Sequence, residues 1–269
     1  MSRRGGEMEL VVDVGNTETV VGVFVPGEME PIRHWRYSTS VPRTADELAL
    51  LLRAFLRDGG LEPGAVLRSV VGSVVPAQTD LLRRCLVRIG KGELFVVEPG
   101  VPLPIRLDVD EPRTVGADRI VNTLAARVLY GRDTVVVDLG TATTFDCITA
   151  EGAFVGGVIA PGLQSGQEWL GGRTAKLPRV PFGPPERVIG RTTEDCLRSG
   201  IFFSSIDAMD GIVDRIRREW SPRDPLVVAT GGLAVVVGPH SRTLERVDPF
   251  LTLVGLALAG RHMAGIAVV

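Results

Sequence analysis

The sequence predicts an α/β protein made of two related halves, on the basis of its length, its patterning and an internal repeat. Its 269 residues exceed the usual domain size of roughly 100–200 residues, which favours two domains. Strand-like apolar runs alternate with segments whose apolar residues recur at helical spacing. A polar turn motif between two strands begins at Asp13 and returns at Asp138, and such internal similarity indicates structurally related halves.

The first half opens with a three-stranded meander and continues with helices and strands. Thr44 and Glu47 form a capping-box pattern, and Gly59 ends the helix that they start. An extended, proline-bearing stretch, Glu98–Arg113, leads into the last helix of this half. The remaining predicted elements are the strands Glu9–Val14, Thr19–Val25, Ile32–Thr39, Val66–Val75 and Leu94–Val97, and the helices Ala77–Ile89 and Ala117–Leu129.

The second half repeats this order from the second polar turn onwards. A strand is predicted on each side of that turn, followed by the strands Gly152–Ala160 and Leu226–Ala229 and the helices Thr192–Glu219 and Leu251–Met263. We expect the helix Ala117–Leu129 to connect the halves. This gives an N-terminal domain, 1–116, and a C-terminal domain, 117–269.

Composition and charge exclude several classes of protein. Hydrophobic residues make up 45% of the chain and charged residues 23%, which is typical of globular proteins. A formal net charge of −2 offers no basic excess for a nucleic acid. The start of the chain lacks a secretory pattern, and no apolar run reaches the ~20 residues of a membrane span. Three isolated cysteines, Cys85, Cys147 and Cys196, suit a reducing cytoplasm.

The repeated turn "DVGNTETVVGVF" places a carboxylate, Asp13, directly before a turn rich in small polar residues. Gly15 and Asn16 are expected to adopt left-handed backbone angles, which would expose backbone N–H groups. Together with the hydroxyls of Thr17 and Thr19, these amides would suit phosphate oxygens, and the carboxylate would suit a metal ion or its waters. The alternative is a hairpin turn that satisfies its own polar groups.

The second copy, Asp138–Thr144, favours the phosphate interpretation, because two such turns facing one another across a cleft would grip a nucleotide triphosphate between domains. A third glycine-rich element, "VVATGGLAVVV", follows a strand, and Gly231 and Gly232 would let backbone approach an adenine or ribose. Its alternative is an ordinary strand-to-helix turn.

The chain resembles type III pantothenate kinases over nearly its whole length. The segments that carry the resemblance occur in the family's order: "DVGNTETVVGVF", "VGADRIVNTLAA", "VVDLGTATTFD", "GGVIAPGL", "RTAKLPRV", "GRTTEDCLRSGIF", "ATGGLA" and "VDPFLTLVGL". The resemblance implies two ribonuclease H-like domains of the acetate and sugar kinase/Hsp70/actin superfamily with an interdomain cleft. It also implies ATP-dependent phosphorylation of pantothenate, the first step of coenzyme A synthesis, with Mg²⁺ and a monovalent cation, K⁺ or NH₄⁺.

The resemblance also implies roles for individual residues. The ATP-binding set would be Asp13, Val14, Gly15, Asn16, Thr17, Glu18, Thr19, Val20 and Thr141. The pantothenate-binding set would be Val109, Gly116, Ala117, Asp118, Arg119 and Thr193, with Asp118 also accepting the proton of the attacking hydroxyl. Asp138 would ligate the monovalent cation. Two positions depart from the family pattern, because Val109 stands where an aromatic residue is common and Thr192 where an asparagine is common.

Local chemistry leaves alternatives open at two of these residues. Asp118 in a first helical turn is ordinarily a surface charge favoured by the helix dipole. Thr193 would serve as a helix N-cap as well as a substrate contact. The apolar surplus of Gly190–Glu219, together with the resemblance, predicts a homodimer, and a helix buried within a monomer is the alternative.

Three other functions compete with pantothenate phosphorylation. A regulatory or accessory relative would keep this fold without turnover, although the intact carboxylates Asp13, Asp118 and Asp138 disfavour that function. A nucleotide switch of the actin or Hsp70 kind would need larger added subdomains. A kinase for another small alcohol would use the same scaffold, because a fold does not fix a substrate.

Overall fold

The computed structural model describes residues 6–166, 177–178 and 180–268. Most of the "RTAKLPRV" motif lies outside these residues. Along the chain the elements are β1 (Met8–Val14), β2 (Glu18–Phe24), β3 (Arg33–Ser38), α1 (Ala45–Asp58), β4 (Val66–Ser73), α2 (Pro76–Leu86), β5 (Glu93–Val97), β6 (Arg106–Leu107), α3 (Ala117–Tyr130), β7 (Thr134–Leu139), β8 (Ala142–Ile148), β9 (Ala153–Pro161), α4 (Thr193–Glu219), β10 (Leu226–Thr230), α5 (Ala234–Val237), β11 (Arg246–Val247) and α6 (Leu251–Met263).

The elements form two compact units whose limits differ from the predicted division at residues 116 and 117. Unit 1 comprises Met1–Gly131, Glu151–Phe154 and Phe250–Val269, and unit 2 comprises Arg132–Ala150 and Val155–Pro249. Helix α3, which was expected to connect two domains, belongs to unit 1 because it packs on α6 and β4. The chain therefore leaves unit 1 after Gly131, returns to it for Glu151–Phe154, and returns again at the last helix.

Unit 1 is built on a five-stranded sheet in the order β3-β2-β1-β4-β5. The meander β1-β2-β3 is antiparallel, and β4 and β5 continue the sheet in parallel with β1. Alternation along β1 sends Leu10 and Val12 into a core that they share with Leu48 and Leu52 of α1 and Leu82 of α2. Because successive side chains point to opposite faces, the other face is left for α3 and α6.

Glycines allow α6 to lie close to that second face of the sheet. A Cβ on Gly72 of β4 would come within 2.8 Å of the Leu256 side chain, and one on Gly260 within 2.2 Å of Val70. A Cβ on Gly255 would meet the backbone of Val121 in α3 at 2.2 Å. Residues all around α6 are buried, which suits the apolar residues that it carries.

A buried ion-pair triad anchors α6 to the adjacent strands β1 and β4 of unit 1. Glu9 has no exposed surface, and its Oε1 accepts a hydrogen bond of 2.6 Å from Arg68 of the neighbouring strand. Its Oε2 accepts one of 2.8 Å from Nε of Arg261, which also donates to the carbonyl oxygen of Glu28 at 2.7 Å. One carboxylate thus holds two guanidinium groups that are themselves almost fully buried.

Unit 2 packs the long helix α4 against β7, β8 and β10. Strands β7 and β8 form an antiparallel hairpin, and β10 runs parallel to β7. Phe202, Ile206 and Val213 of α4 lie in one core with Val135 and Phe145 of the sheet. The first two residues of β9, which belong to unit 1, pair with β6.

Most predicted elements are confirmed within one to three residues at their ends. The capping box of α1 is also confirmed, since Thr44 and Glu47 exchange hydrogen bonds, and the bond from the Thr44 backbone lowers the pKa of Glu47. Across the part of the chain that the structure describes, no helix combines the length and apolarity needed to cross a membrane.

Candidate functional site

The first polar turn joins β1 to β2 and lies at the carboxyl end of β1 in unit 1. Val14 pairs with Thr19, and the N–H of Gly15 donates to the carbonyl oxygen of Glu18 at 3.0 Å. The expected left-handed angles are wrong, because neither Gly15 nor Asn16 has a positive φ. Glycine is favoured at 15 for another reason, since a Cβ there would sit 3.0 Å from that same carbonyl oxygen.

The two threonines of this turn have different environments. Thr17 is exposed, whereas Thr19 is 1% exposed and its hydroxyl shares a 2.8 Å hydrogen bond with that of Thr39. The N–H of Thr39 also donates to the carbonyl oxygen of Thr17 at 2.9 Å. Thr39, which sequence reasoning did not single out, therefore supports the turn, and Thr19 contributes to its rigidity through a hydroxyl that faces inward.

The second polar turn, in unit 2, is one residue shorter than the first. Leu139 pairs with Thr143 across the β7-β8 hairpin, and the N–H of Gly140 donates to the carbonyl oxygen of Ala142 at 3.1 Å. The register makes Thr143, which is 2% exposed, the counterpart of the buried Thr19. The spacing Asp-x-Gly-x-x-x-Thr, which both copies share, would instead align Thr19 with Thr144, because spacing along the chain does not reveal the different loop lengths.

Two distant glycines close around the second turn. A Cβ on Gly162 would meet the carbonyl oxygen of Thr141 at 2.2 Å, and one on Gly231 would meet Oδ1 of Asp138 at 2.5 Å. Gly231 follows Thr230, which pairs with Asp138 in the parallel β10-β7 ladder, and it has a φ of +90°. The glycine-rich element of β10 thus packs against the carboxylate of the second turn, a contact that the adenine or ribose interpretation did not include.

The segment Gly116–Arg119 begins α3 and lies at the same end of the unit 1 sheet as the first turn. Asp13 is in register with Gly72 of β4, and a Cβ on Gly72 would lie 3.7 Å from the Cβ of Ala117. After β4, the N–H of Val74 donates to the carbonyl oxygen of Val14 at 3.1 Å, and Val74 lies 3.4 Å from a Cβ built on Gly116. The structure therefore brings these two predicted sites together within unit 1.

Asp118 lies in the first turn of α3, where it is half-buried. Its Oδ1 accepts a 2.8 Å hydrogen bond from the N–H of Arg119 and would lie 2.4 Å from a Cβ on Gly116. The helix has no side-chain N-cap at Gly116. Glycine at 116 thus leaves room for the carboxylate to fold over the helix start, with its direction fixed by the backbone.

Of the other predicted substrate residues, Arg119 and Val109 belong to unit 1 and Thr193 to unit 2. Arg119 is half-buried, with its guanidinium carbon 4.7 Å from the ring centroid of Phe154. Val109, also half-buried, follows the short strand β6. Thr193 is exposed as the first residue of α4 in unit 2, and the N-cap is Thr192 rather than Thr193.

Thr192 forms a capping box with Asp195. The N–H of Asp195 donates to the Thr192 hydroxyl oxygen at 3.1 Å, and the N–H of Thr192 donates to the Asp195 carboxylate at 3.3 Å. The bond with the Thr192 side chain lowers the pKa of Asp195. Threonine at the asparagine position of the family pattern therefore retains the capping function, and Thr193 has no capping role in this helix.

Each polar turn suits a cation that takes some of its ligands from a bound phosphate group. Among the described residues, no group of three or more His, Cys, Asp or Glu side chains could hold a metal ion by itself. Asp13 and Asp138 instead each place one half-buried carboxylate beside a turn. Magnesium commonly takes one or two carboxylates and completes its ligands with water and substrate phosphates, so such single carboxylates suit it.

Two solved structures share the fold of this chain. The chain resembles the ethanolamine utilization protein EutJ from Carboxydothermus hydrogenoformans with a TM-score of 0.58 and 20% identity, over 96% of this chain and 92% of that one. It also resembles MreB 5 of Spiroplasma citri bound to AMPPNP, with a TM-score of 0.54 and 9% identity over 97% and 98% of the two chains. The fold is that of the actin, Hsp70 and sugar kinase superfamily.

Sequence similarity places the chain more narrowly. The family model described as type III pantothenate kinase matches residues 9–215. A type III pantothenate kinase from Moorella thermoacetica is 42% identical over 251 residues, which cover 93% of this chain and 98% of that relative. The chain belongs to the type III pantothenate kinase family, as its motifs indicated.

Proposed function

We propose that this protein phosphorylates pantothenate with ATP to give 4'-phosphopantothenate, the first step of coenzyme A biosynthesis. The observation that carries the proposal is the position of Asp118, whose helix begins at the same end of the unit 1 sheet as the Asp13 turn. Membership of the family supplies the substrate. A carboxylate and a polar turn brought together in this way suit a phosphoryl transfer to an alcohol.

Asp118 would position the hydroxyl of pantothenate and accept its proton. The bond from the Arg119 N–H to Oδ1 fixes the orientation of the carboxylate, and its second oxygen, Oδ2, would accept the proton. The cationic guanidinium of Arg119, from the same helical turn, complements the negative charge of pantothenate. Val109 and Thr193 complete the proposed set of substrate contacts.

The two polar turns would bind the phosphates of ATP through backbone N–H groups, with Thr17 and Thr141 contributing exposed hydroxyls. Asp13 would hold Mg²⁺ through its waters, and Asp138 would hold K⁺ or NH₄⁺. When bound, these cations would offset the negative charge of the phosphate oxygens. We expect faster turnover in potassium than in sodium buffer, and equal rates in the two buffers would argue against the monovalent site.

The decisive experiment measures ADP release by the purified protein with Mg²⁺-ATP, K⁺ and a panel of alcohols that includes pantothenate. Asp118→Asn keeps the size of the side chain but removes its basicity, so we expect kcat to fall by on the order of 10²–10⁴ with little change in KM for ATP. Turnover of another alcohol alone would reassign the substrate. A folded, ATP-binding protein without turnover would indicate a non-catalytic relative.

We also propose that the protein is a cytoplasmic homodimer without a nucleic-acid or membrane partner. The apolar surplus of α4 does not support a dimer, since its Phe202, Ile206 and Val213 are buried in the core of unit 2. Support comes instead from Val188 and Ile189, which are 68% and 84% exposed just before α4. Light scattering should give about twice the chain mass of 28.8 kDa, and a value near one chain would reject the dimer.

A further inference from the structure

We propose that Phe154 is a positioning residue for the substrate site, and that its ring holds the guanidinium of Arg119 in the direction required for pantothenate. This inference rests on the proposed function, which places Arg119 at the substrate. Phe154 carries no reactive group and lies 35 positions after Arg119 in the sequence, so no local pattern connects the two. The connection appears only in unit 1 of the structure.

The contact is a cation–π interaction on a buried ring. The guanidinium carbon of Arg119 lies 4.7 Å from the centroid of the Phe154 ring, and Phe154 is 2% exposed. Such contacts strengthen when the groups are desolvated, as they are on a ring that is almost fully buried. Because an arginine side chain loses rotamer entropy when it is fixed, a preformed platform lowers the cost of ordering it on the substrate.

The backbone of Phe154 is held by the extended stretch that carries Val109. Leu107 pairs with Phe154 in the parallel β6-β9 ladder. The N–H of Asp108 then donates to the carbonyl oxygen of Phe154 at 2.8 Å. Val109 is the next residue, so the proposed wall of the pantothenate site and the platform under Arg119 form one hydrogen-bonded piece.

A second contact fixes the same piece to α3 two helical turns further along. A Cβ on Gly152, whose φ is +81°, would lie 2.3 Å from Cδ of Arg127, so the arginine stem packs directly on this glycine. Arg127 also donates a hydrogen bond to the carbonyl oxygen of Pro104. Helix α3 therefore contacts Gly152 through Arg127. At the start of the same helix, Arg119 contacts the ring of Phe154.

The test compares Phe154→Leu with Phe154→Tyr. Leucine keeps an apolar side chain but removes the aromatic face, so we expect KM for pantothenate to rise about 3- to 30-fold, with kcat and KM for ATP within about two-fold. Tyrosine restores the aromatic face and is expected to restore KM. Phe24→Leu is the matched control, since Phe24 is a fully buried phenylalanine of unit 1, and it should lower stability without raising KM.

A second measurement does not depend on turnover. The Arg119 Hε resonance, identified by its loss in Arg119→Lys, lies under the ring current of Phe154 and is expected to shift in Phe154→Leu but not in Phe24→Leu. If the wild type phosphorylates pantothenate and Phe154→Leu has an unchanged KM for pantothenate, the positioning role alone is overturned. Failure of the wild type to use pantothenate would overturn the proposed function, and an unshifted resonance would overturn the contact itself.

Discussion

Replacing Gly231 by alanine should disable the second polar turn while leaving the rest of unit 2 folded. The new Cβ would lie 2.5 Å from Oδ1 of Asp138 and 2.8 Å from both the N and O atoms of Leu139. Ordinary contacts begin near 3.4 Å, so the Asp138 carboxylate must move by about 0.9 Å and the Leu139 backbone by about 0.6 Å. The backbone atoms cannot rotate away as a side chain can. A displacement of that size at a reacting group commonly costs about 10²-fold in rate.

The matched control is Gly27→Ala. Gly27 has the same φ of +90°, but a Cβ there would meet nothing within 4 Å. Both variants carry the backbone strain of an L residue at positive φ, of order 1–2 kcal/mol, and should melt at a lower temperature than the wild type. We expect kcat/KM for ATP to fall about 10²-fold in Gly231→Ala only. Equal ADP release by the two variants would refute the argument that Gly231 sets the position of Asp138.

Two further substitutions test the packing of unit 1 and the start of α4. Glu9→Gln leaves the guanidinium groups of Arg68 and Arg261 buried without their carboxylate, so the free energy of unfolding in urea should fall by about 3–5 kcal/mol; a loss below about 1 kcal/mol would contradict a buried triad. Thr192→Ala removes the N-cap and should cost about 1 kcal/mol of stability at unchanged KM for pantothenate, whereas Thr193→Ala should raise that KM at unchanged stability. If thermal melts and ADP-release assays instead show a loss of stability in Thr193→Ala and a raised KM in Thr192→Ala, the two residues have the opposite roles.

Elements set by local chemistry could be predicted from the sequence. The helix Leu251–Met263 has the predicted ends, and the capping box at Thr44 and Glu47 forms as expected, because caps and periodicity are properties of a few neighbouring residues. The family motifs also identified the chain correctly. The assignment of α3 to unit 1 could not be predicted, since it depends on packing against α6, more than a hundred residues away.

The residues that hold the candidate site in place are also distant in sequence from the residues that they contact. Thr39 closes the first turn, Gly162 and Gly231 close the second, and Phe154 lies under Arg119, yet none of these four was assigned its contact from the sequence. Their side chains are small or unreactive. Sequence reasoning selects residues by the chemistry that they carry, whereas these positions are fixed by the space that they leave or fill.

The two copies of the polar turn show why equivalent letters do not have equivalent effects. Both copies place a half-buried aspartate at a strand end and a buried threonine on the returning strand. The first copy is supported by a hydroxyl pair, Thr19 with Thr39, which can be replaced by another pair of similar shape. The second is enclosed by Gly162 and Gly231, where any side chain collides with the backbone of the turn. A Cβ at these two glycines would come within 2.2 and 2.5 Å of the second turn, closer than the 3.0 Å that one on Gly15 would leave in the first turn. Residues around Asp138 should therefore tolerate substitution less than those around Asp13.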